Sequence, residues 1–137
     1  MEKIVKRYDI ALQTLATLKE SLDTLHKDLS EKEYRMIRDS VIQRFEYSID
    51  TFWKFLKIYL QEHLQVTLES VSPRAILRQA LEANLLSANE HEIAIKGMLD
   101  RNETSHSYNE AVAQEIVHAI PTFYDTMHAI LTRIKVN

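Results

Sequence analysis

One glycine and two prolines stand in a chain of 137 residues. That shortage restricts the fold more than any other feature. Hairpins and tight turns need residues that accept positive φ or fix φ near −65°, and a sheet protein needs them at every reversal. Helices joined by short connectors need few of either. The apolar residues agree. Over residues 2–28 they fall at Ile4, Tyr8, Ala11, Leu15, Leu18, Leu22 and Leu25, with Leu29 just beyond. The steps of four and three form the seam of a helix packed against near-antiparallel neighbours. Over residues 31–63 one stripe reads Tyr34, Ile37, Val41, Phe45, Ile49, Phe52, Leu56 and Leu60. A second reads Tyr47, Phe55 and Tyr59, with Trp53 at its border. Two stripes on one helix suit either a central place in a bundle or a face that buries against a second subunit.

Capping signals mark the boundaries. Ser30 followed by Glu33 is a capping box for the second helix. Ser72 before Pro73 starts a shorter helix over about 73–86, burying Ile76, Leu77, Ala80 and Leu81. Asn89 with Glu92 opens a fourth helix over about 90–101, with Ile93, Ile95, Met98 and Leu99 on its apolar side. Gly97 lies inside that helix, where it costs up to about 1 kcal/mol against alanine, so a close backbone approach is one reading of it. A last helix covers about 108–135 through Val112, Ile116, Ala119 or Ile120, Phe123, Met127, Ile130 and Ile134. Pro121 falls within it and predicts a kink near 117–121. No repeat or linker interrupts the pattern. The expectation is one all-α domain over residues 1–137, an up-and-down bundle of four to five helices.

Several function classes drop out. Without cysteine there is no disulfide or thiolate metal site. No run approaches the roughly 18 apolar residues of a membrane span, and Glu2, Asp9 and Glu20 break the apolar centre that a signal peptide needs. A cytoplasmic protein without membrane association is expected. A net charge of −3 argues against a broad basic surface for nucleic acid, so RNA binding requires a local cluster, for which Arg35, Arg38, Arg44, Arg74 and Arg78 are candidates. His118 and His128 are too far apart for one i, i+4 metal site. His91 and Glu92 lack the second pair of a di-metal bundle. One glycine excludes a glycine-rich phosphate cradle. Neither a metal nor a cofactor is expected.

The periodicity breaks at DRNETSHSYNE, residues 100–110. The fourth helix is expected to end near Arg101 and the fifth to begin near 107–109, so that Arg101, Asn102, His106 and Tyr108 line one small cleft. Arginine stays charged and binds phosphate bidentately. Histidine exchanges a proton near neutral pH. Tyrosine offers a hydroxyl and a stacking face. The set suits a phosphodiester, with the arginine on the phosphate and the histidine on the proton of a 2′-hydroxyl or of the leaving oxygen. The plain alternative is that these residues only cap helices and complement the helix dipole.

The spacing R-x4-H-x-Y from Arg101 through His106 to Tyr108 resembles the motif of the HEPN superfamily. The likeness is greatest to its small members paired with a minimal nucleotidyltransferase, the nucleotidyltransferase substrate-binding protein family. VIQRFEYSIDTFWKFLKIYL at 41–60, including Gln43, Arg44, Phe45 and Glu46, resembles that family's central helix. SPRAILRQALEANLL at 72–86 resembles its next helix, MLDRNETSHSYNE at 98–110 its motif block, and the proline in IPTFYDTM is also similar. The resemblance spans most of residues 1–135. It implies a helical bundle that forms a homodimer, in which the two motifs face each other across the two-fold axis. It implies a metal-independent ribonuclease with Arg101 and His106 as the catalytic pair, assisted by Asn102. It also implies a partner, a minimal nucleotidyltransferase antitoxin, that silences the nuclease by transferring AMP to Tyr108. An anionic nucleotide there would block and neutralise an RNA cleft. Two other readings stay open: a non-catalytic subunit that holds a substrate or nucleotide for its partner transferase, and a helical adaptor in which the motif only caps helices.

Overall fold

The computed structural model describes residues 1–106 and 109–136, with residues 104–106 described by their backbone alone. Five helices follow one another: α1 (Glu2–Leu25), α2 (Glu31–Ile58), α3 (Pro73–Glu82), α4 (Ala88–His106) and α5 (Glu110–Ile134). A π-helical turn, Tyr59–His63, extends α2 before the connector. No strand occurs among the described residues.

Cross-helix contacts give the topology. Tyr8 packs edge-on against Phe55, and Thr14 shares a 2.8 Å hydrogen bond with Thr51, so α1 and α2 run antiparallel. Arg101 of α4 reaches Asp50 of α2, while Gly97 lies against Ile49. Glu90 at the start of α4 meets Arg133 at the end of α5, and Tyr8 donates its hydroxyl hydrogen to the Leu131 carbonyl at 2.6 Å. Helices α1, α2, α4 and α5 therefore form an up-down-up-down bundle, and short α3 sits in the crossover between α2 and α4. One buried cluster draws on all five helices, with Phe45 and Phe123 stacked at 5.3 Å near its middle.

The start signals hold at two helices, and a third cap emerges at α5. Ser30 and Glu33 form a reciprocal capping box at 3.2 and 3.0 Å. Ser72 accepts the Ala75 N–H with Pro73 in the first turn. Asn109 caps α5 by accepting the N–H groups of Ala111 and Val112. At α4 the expectation is corrected. The cap is Ser87 with Glu90, not Asn89 with Glu92: Glu90 N–H donates to Ser87 Oγ at 3.1 Å, and Ser87 N–H to Glu90 Oε1 at 2.8 Å. Both sequence spacings satisfy the capping rule. Ser87 and Glu90 prevail because Glu90 also takes two hydrogen bonds from Arg133.

Other details differ too. Helix α3 stops at Glu82, followed by Asn84 at φ 62°, and Leu81 is half-buried while Leu86 is buried beyond the helix end. On α4 the expected Ile93, Ile95 and Met98 are half-buried and pack against the core, Ala94 and Gly97 are buried with them, and only Leu99 departs, at 50% exposure. Small residues face inward because α4 lies close to α2: a Cβ on Gly97 would stand 3.2 Å from Ile49 Cδ1. The second stripe of α2 also divides. Phe55 belongs to the bundle's own core, Trp53 and Tyr59 are half-buried, and only Tyr47 faces outward, at 55% exposure. Helix α5 continues through Pro121, which lies on its exposed side. No helix is long and apolar enough to cross a membrane among the described residues.

Candidate functional site

Helix α2 carries Glu46 and Asp50 one turn apart on its outward side. Like charges at this spacing cost a helix about 0.2–0.5 kcal/mol unless a cation lies between them. Arg101 supplies the cation from α4. Its Nε donates to Asp50 Oδ1 at 3.2 Å, Nη2 to Asp50 Oδ2 at 3.1 Å, and Nη1 to Glu46 Oε2 at 3.3 Å. The bidentate fork fits the planar guanidinium, which a lysine could not reproduce. Gly97, one turn earlier, lets the backbones approach so that Arg101 spans the gap. The hydrogen bonds that Arg101 donates to Asp50, with the charges of Asp50 and Glu46, hold the guanidinium above its ordinary pKa. Arg101 is thus a permanent cation that orients or stabilises charge and does not exchange protons.

Beside this cluster lies a groove of about 300 Å³. Ile49, Asp50 and Trp53 of α2 form one wall, and Ser72, Pro73 and Arg74 at the start of α3 a second. Met98, Leu99, Arg101 and Asn102 of α4 form the third. On the opposite side of α4, Asp100 is 8% exposed. Its Oδ1 accepts from Lys96 Nζ at 2.6 Å, and its Oδ2 has no hydrogen-bond partner. No group of three or more histidines and carboxylates is arranged to hold a metal among the described residues.

Of the four expected cleft residues, Arg101 and Asn102 come together on the groove. The His106 side chain and the whole of Tyr108 lie outside the described residues; only the His106 backbone is described, as the last residue of α4. The polar stretch is therefore not a turn after Arg101, as expected, but a further turn and more of helix. It needs no apolar stripe there because the Lys96–Asp100 pair and the Arg101 anchors hold it. Helical geometry sets the Arg101 and His106 Cα atoms roughly 7.5 Å apart along the axis.

The expected basic cluster does not assemble as a whole. Arg38 is 2% exposed and belongs to the interior, where Nη1 and Nη2 donate to the two carboxylate oxygens of Glu110, and Nη2 also to Asp39. Arg44 turns to α1 and donates to the Thr17 carbonyl at 2.7 Å. Arg35 and Arg78 are exposed, and of the five only Arg74 lines the groove. The residues missed from sequence are Asp50 and the Arg38–Glu110 clamp. A signal existed for the first: two carboxylates at i, i+4 on an otherwise apolar-rich helix ask for a cation from elsewhere. None existed for the second, because Arg38 looks like any solvated helical arginine until α5 covers it.

A helical bundle whose motif arginine is clamped over a groove on its central helix defines a class that comparison makes specific. The model of the family described as nucleotidyltransferase substrate binding protein like matches residues 5–136. This chain belongs to that family. A crystal structure of a protein from Thermus thermophilus is 37% identical, covers 92% of this chain and 99% of its own, and superposes with a TM-score of 0.79. A mutant form of the toxin–antitoxin MntA-HpeT shares the fold at a TM-score of 0.72 and 20% identity, covering 94% of this chain and 99% of its own. No curated protein matches the chain.

Proposed function

We propose that this chain is a HEPN-type toxin, a metal-independent RNA endonuclease neutralised by a minimal nucleotidyltransferase antitoxin. The observation that carries the reading is Arg101. It is a permanent, pre-oriented cation at the edge of a groove beside Asn102, on the same helix whose last residue is His106. In the reaction, Arg101 stabilises the charge that develops on the phosphate, and Asn102 supplies a further polar contact. His106 takes the proton from the 2′-hydroxyl as the 2′-oxygen bonds to phosphorus, and the bond to the 5′-oxygen breaks. That oxygen takes a proton from solvent water as it leaves, giving a 2′,3′-cyclic phosphate and a 5′-hydroxyl end. Family membership, and the fold shared with a protein described as a toxin–antitoxin, support a partner transferase. AMP transferred from it to Tyr108 would place an anion beside Arg101 and close the site. The working unit of this reading is a homodimer built from one domain over residues 1–137.

The second reading is a non-catalytic subunit that holds a substrate or nucleotide for its partner. One observation favours it: Glu46 and Asp50 outnumber Arg101 at the clamp, so the motif arginine is fully compensated by carboxylates. Purified protein incubated with total cellular RNA in EDTA separates the two. The toxin reading expects cleavage by the wild type and none by His106→Ala. Absence of cleavage by both, from protein whose intact mass shows no AMP, leaves the substrate-binding subunit.

A further inference from the structure

We infer that the groove between α2, α3 and α4 is a nucleotide subsite for single-stranded RNA, with a base stacked on Trp53 and its phosphate met by Arg74. This rests on the nuclease reading and says where the strand lies beside the cleaved bond. A volume of about 300 Å³ is at the small end for ligand pockets and suits one nucleotide, not a duplex. Trp53 is half-buried, packed against the core and lining the groove. Next to it, Leu99 is half-exposed. Together they offer an apolar platform of the kind on which bases stack without regard to sequence.

Arg74 supplies the charge. It is exposed in the first turn of α3, which contains no acidic residue. A cation there opposes the helix dipole, so Arg74 does nothing for its own helix. It forms no ion pair or hydrogen bond among the described residues. Its place is explained by an anion in the groove. Arg101 and Asn102 line the same groove, so a strand seated on Trp53 and Arg74 continues directly to the motif.

Trp53 is the only tryptophan of the chain, so its emission reports on this groove alone. The experiment titrates the whole protein with a short single-stranded oligoribonucleotide made uncleavable by 2′-O-methylation, following Trp53 emission and, with a labelled copy, anisotropy. Saturable quenching is expected at the concentration where anisotropy rises. Arg74→Ala should weaken binding and lower the slope of log affinity against log salt by about 0.7, one phosphate contact for a single strand. Trp53→Ala should weaken binding about fivefold or more. Trp53→Phe, which keeps the core packing, should fall between it and wild type, so a folding defect in the alanine variant does not decide the result. Tight RNA binding and cleavage with unchanged Trp53 emission, unaffected by Arg74→Ala and Trp53→Phe, would overturn the subsite and leave the nuclease standing. So would Trp53 emission already shielded from acrylamide before RNA is added, since another copy would then cover the groove. Equal quenching by AMP at the same concentrations would make it a free-nucleotide site and overturn the RNA assignment. No RNA binding and no cleavage by wild type would remove the nuclease reading and the subsite with it.

Discussion

Arg38 and Arg101 each leave one helix to meet carboxylates of another, and they end in different surroundings. Arg38 is 2% exposed and ties the second turn of α2 to Glu110 in the first turn of α5. The Arg101 side chain is 28% exposed, tying the C-terminal half of α4 to Asp50 and Glu46 at the rim of a groove. A fully desolvated guanidinium must keep its partners, since losing one strands a charge where water cannot reach it. A guanidinium at a rim keeps water on one side, so its ion pairs contribute little to stability, while its charge acts on whatever enters the groove. The same pairing thus ties two helices in the interior in one place and holds a cation at the rim of a groove in the other.

Truncation of the buried arginine should give the largest change in stability. Arg38→Ala removes the clamp on α5 and the packing of its aliphatic stem. Because Glu110 and Asp39 are 58% exposed and stay hydrated without it, chemical denaturation should show a loss of about 1–2 kcal/mol, most of it from the stem's packing. Arg38→Met keeps the stem's volume without the charge and should recover part of that loss. If both variants matched wild type, the clamp would not hold α5 and the contrast would fail. Arg101→Ala should behave oppositely. Its stability cost should stay within about 1 kcal/mol, whereas RNA cleavage should fall by about 100-fold or more. A stability loss as large as that of Arg38→Ala, with cleavage retained, would make Arg101 a second structural clamp.

A third pair tests the lower end of the scale. Arg133 donates to both carboxylate oxygens of Glu90, at 3.1 and 2.8 Å, across α4 and α5, with the arginine half exposed. The hydrogen bond from Arg133, helped by that from the Ser87 backbone, holds the Glu90 carboxyl below its ordinary value of 4.5. A carboxylate depressed in the folded state gives its full stabilisation above 4.5 and loses it as the pH falls through the lower folded value. Glu90→Gln should therefore cost less than about 1 kcal/mol at neutral pH and flatten the decline in stability below pH 4.5. An acid limb unchanged by the substitution would show that the pair contributes nothing.

How much of this was legible depended on the kind of interaction. Ser30 with Glu33 and Ser72 with Pro73 are local, and their side chains bond within three residues, so the sequence names them directly. The choice between Ser87 and Asn89 as the cap of α4 was not legible. Two local signals competed, and Arg133, more than forty residues away, favours the first. Arg101 and Asn102 were legible as candidates because a motif spacing carries them. Asp50, which orients Arg101, was not singled out, although Glu46 four residues before it hinted at a missing cation.

The sequence by itself determined the helices, because the 3.6-residue period and the scarcity of turn residues leave no other regular structure able to bury so much apolar surface. It also determined the order of the motif residues along α4. Only the tertiary structure decided which arginine is buried in the bundle and which lines an open groove. Arg38 and Arg101 have the same chemistry and the same local propensity. What separates them is desolvation: α5 closes over the first, while the small residue Gly97 draws α4 against α2 and leaves the second at the edge of an open groove.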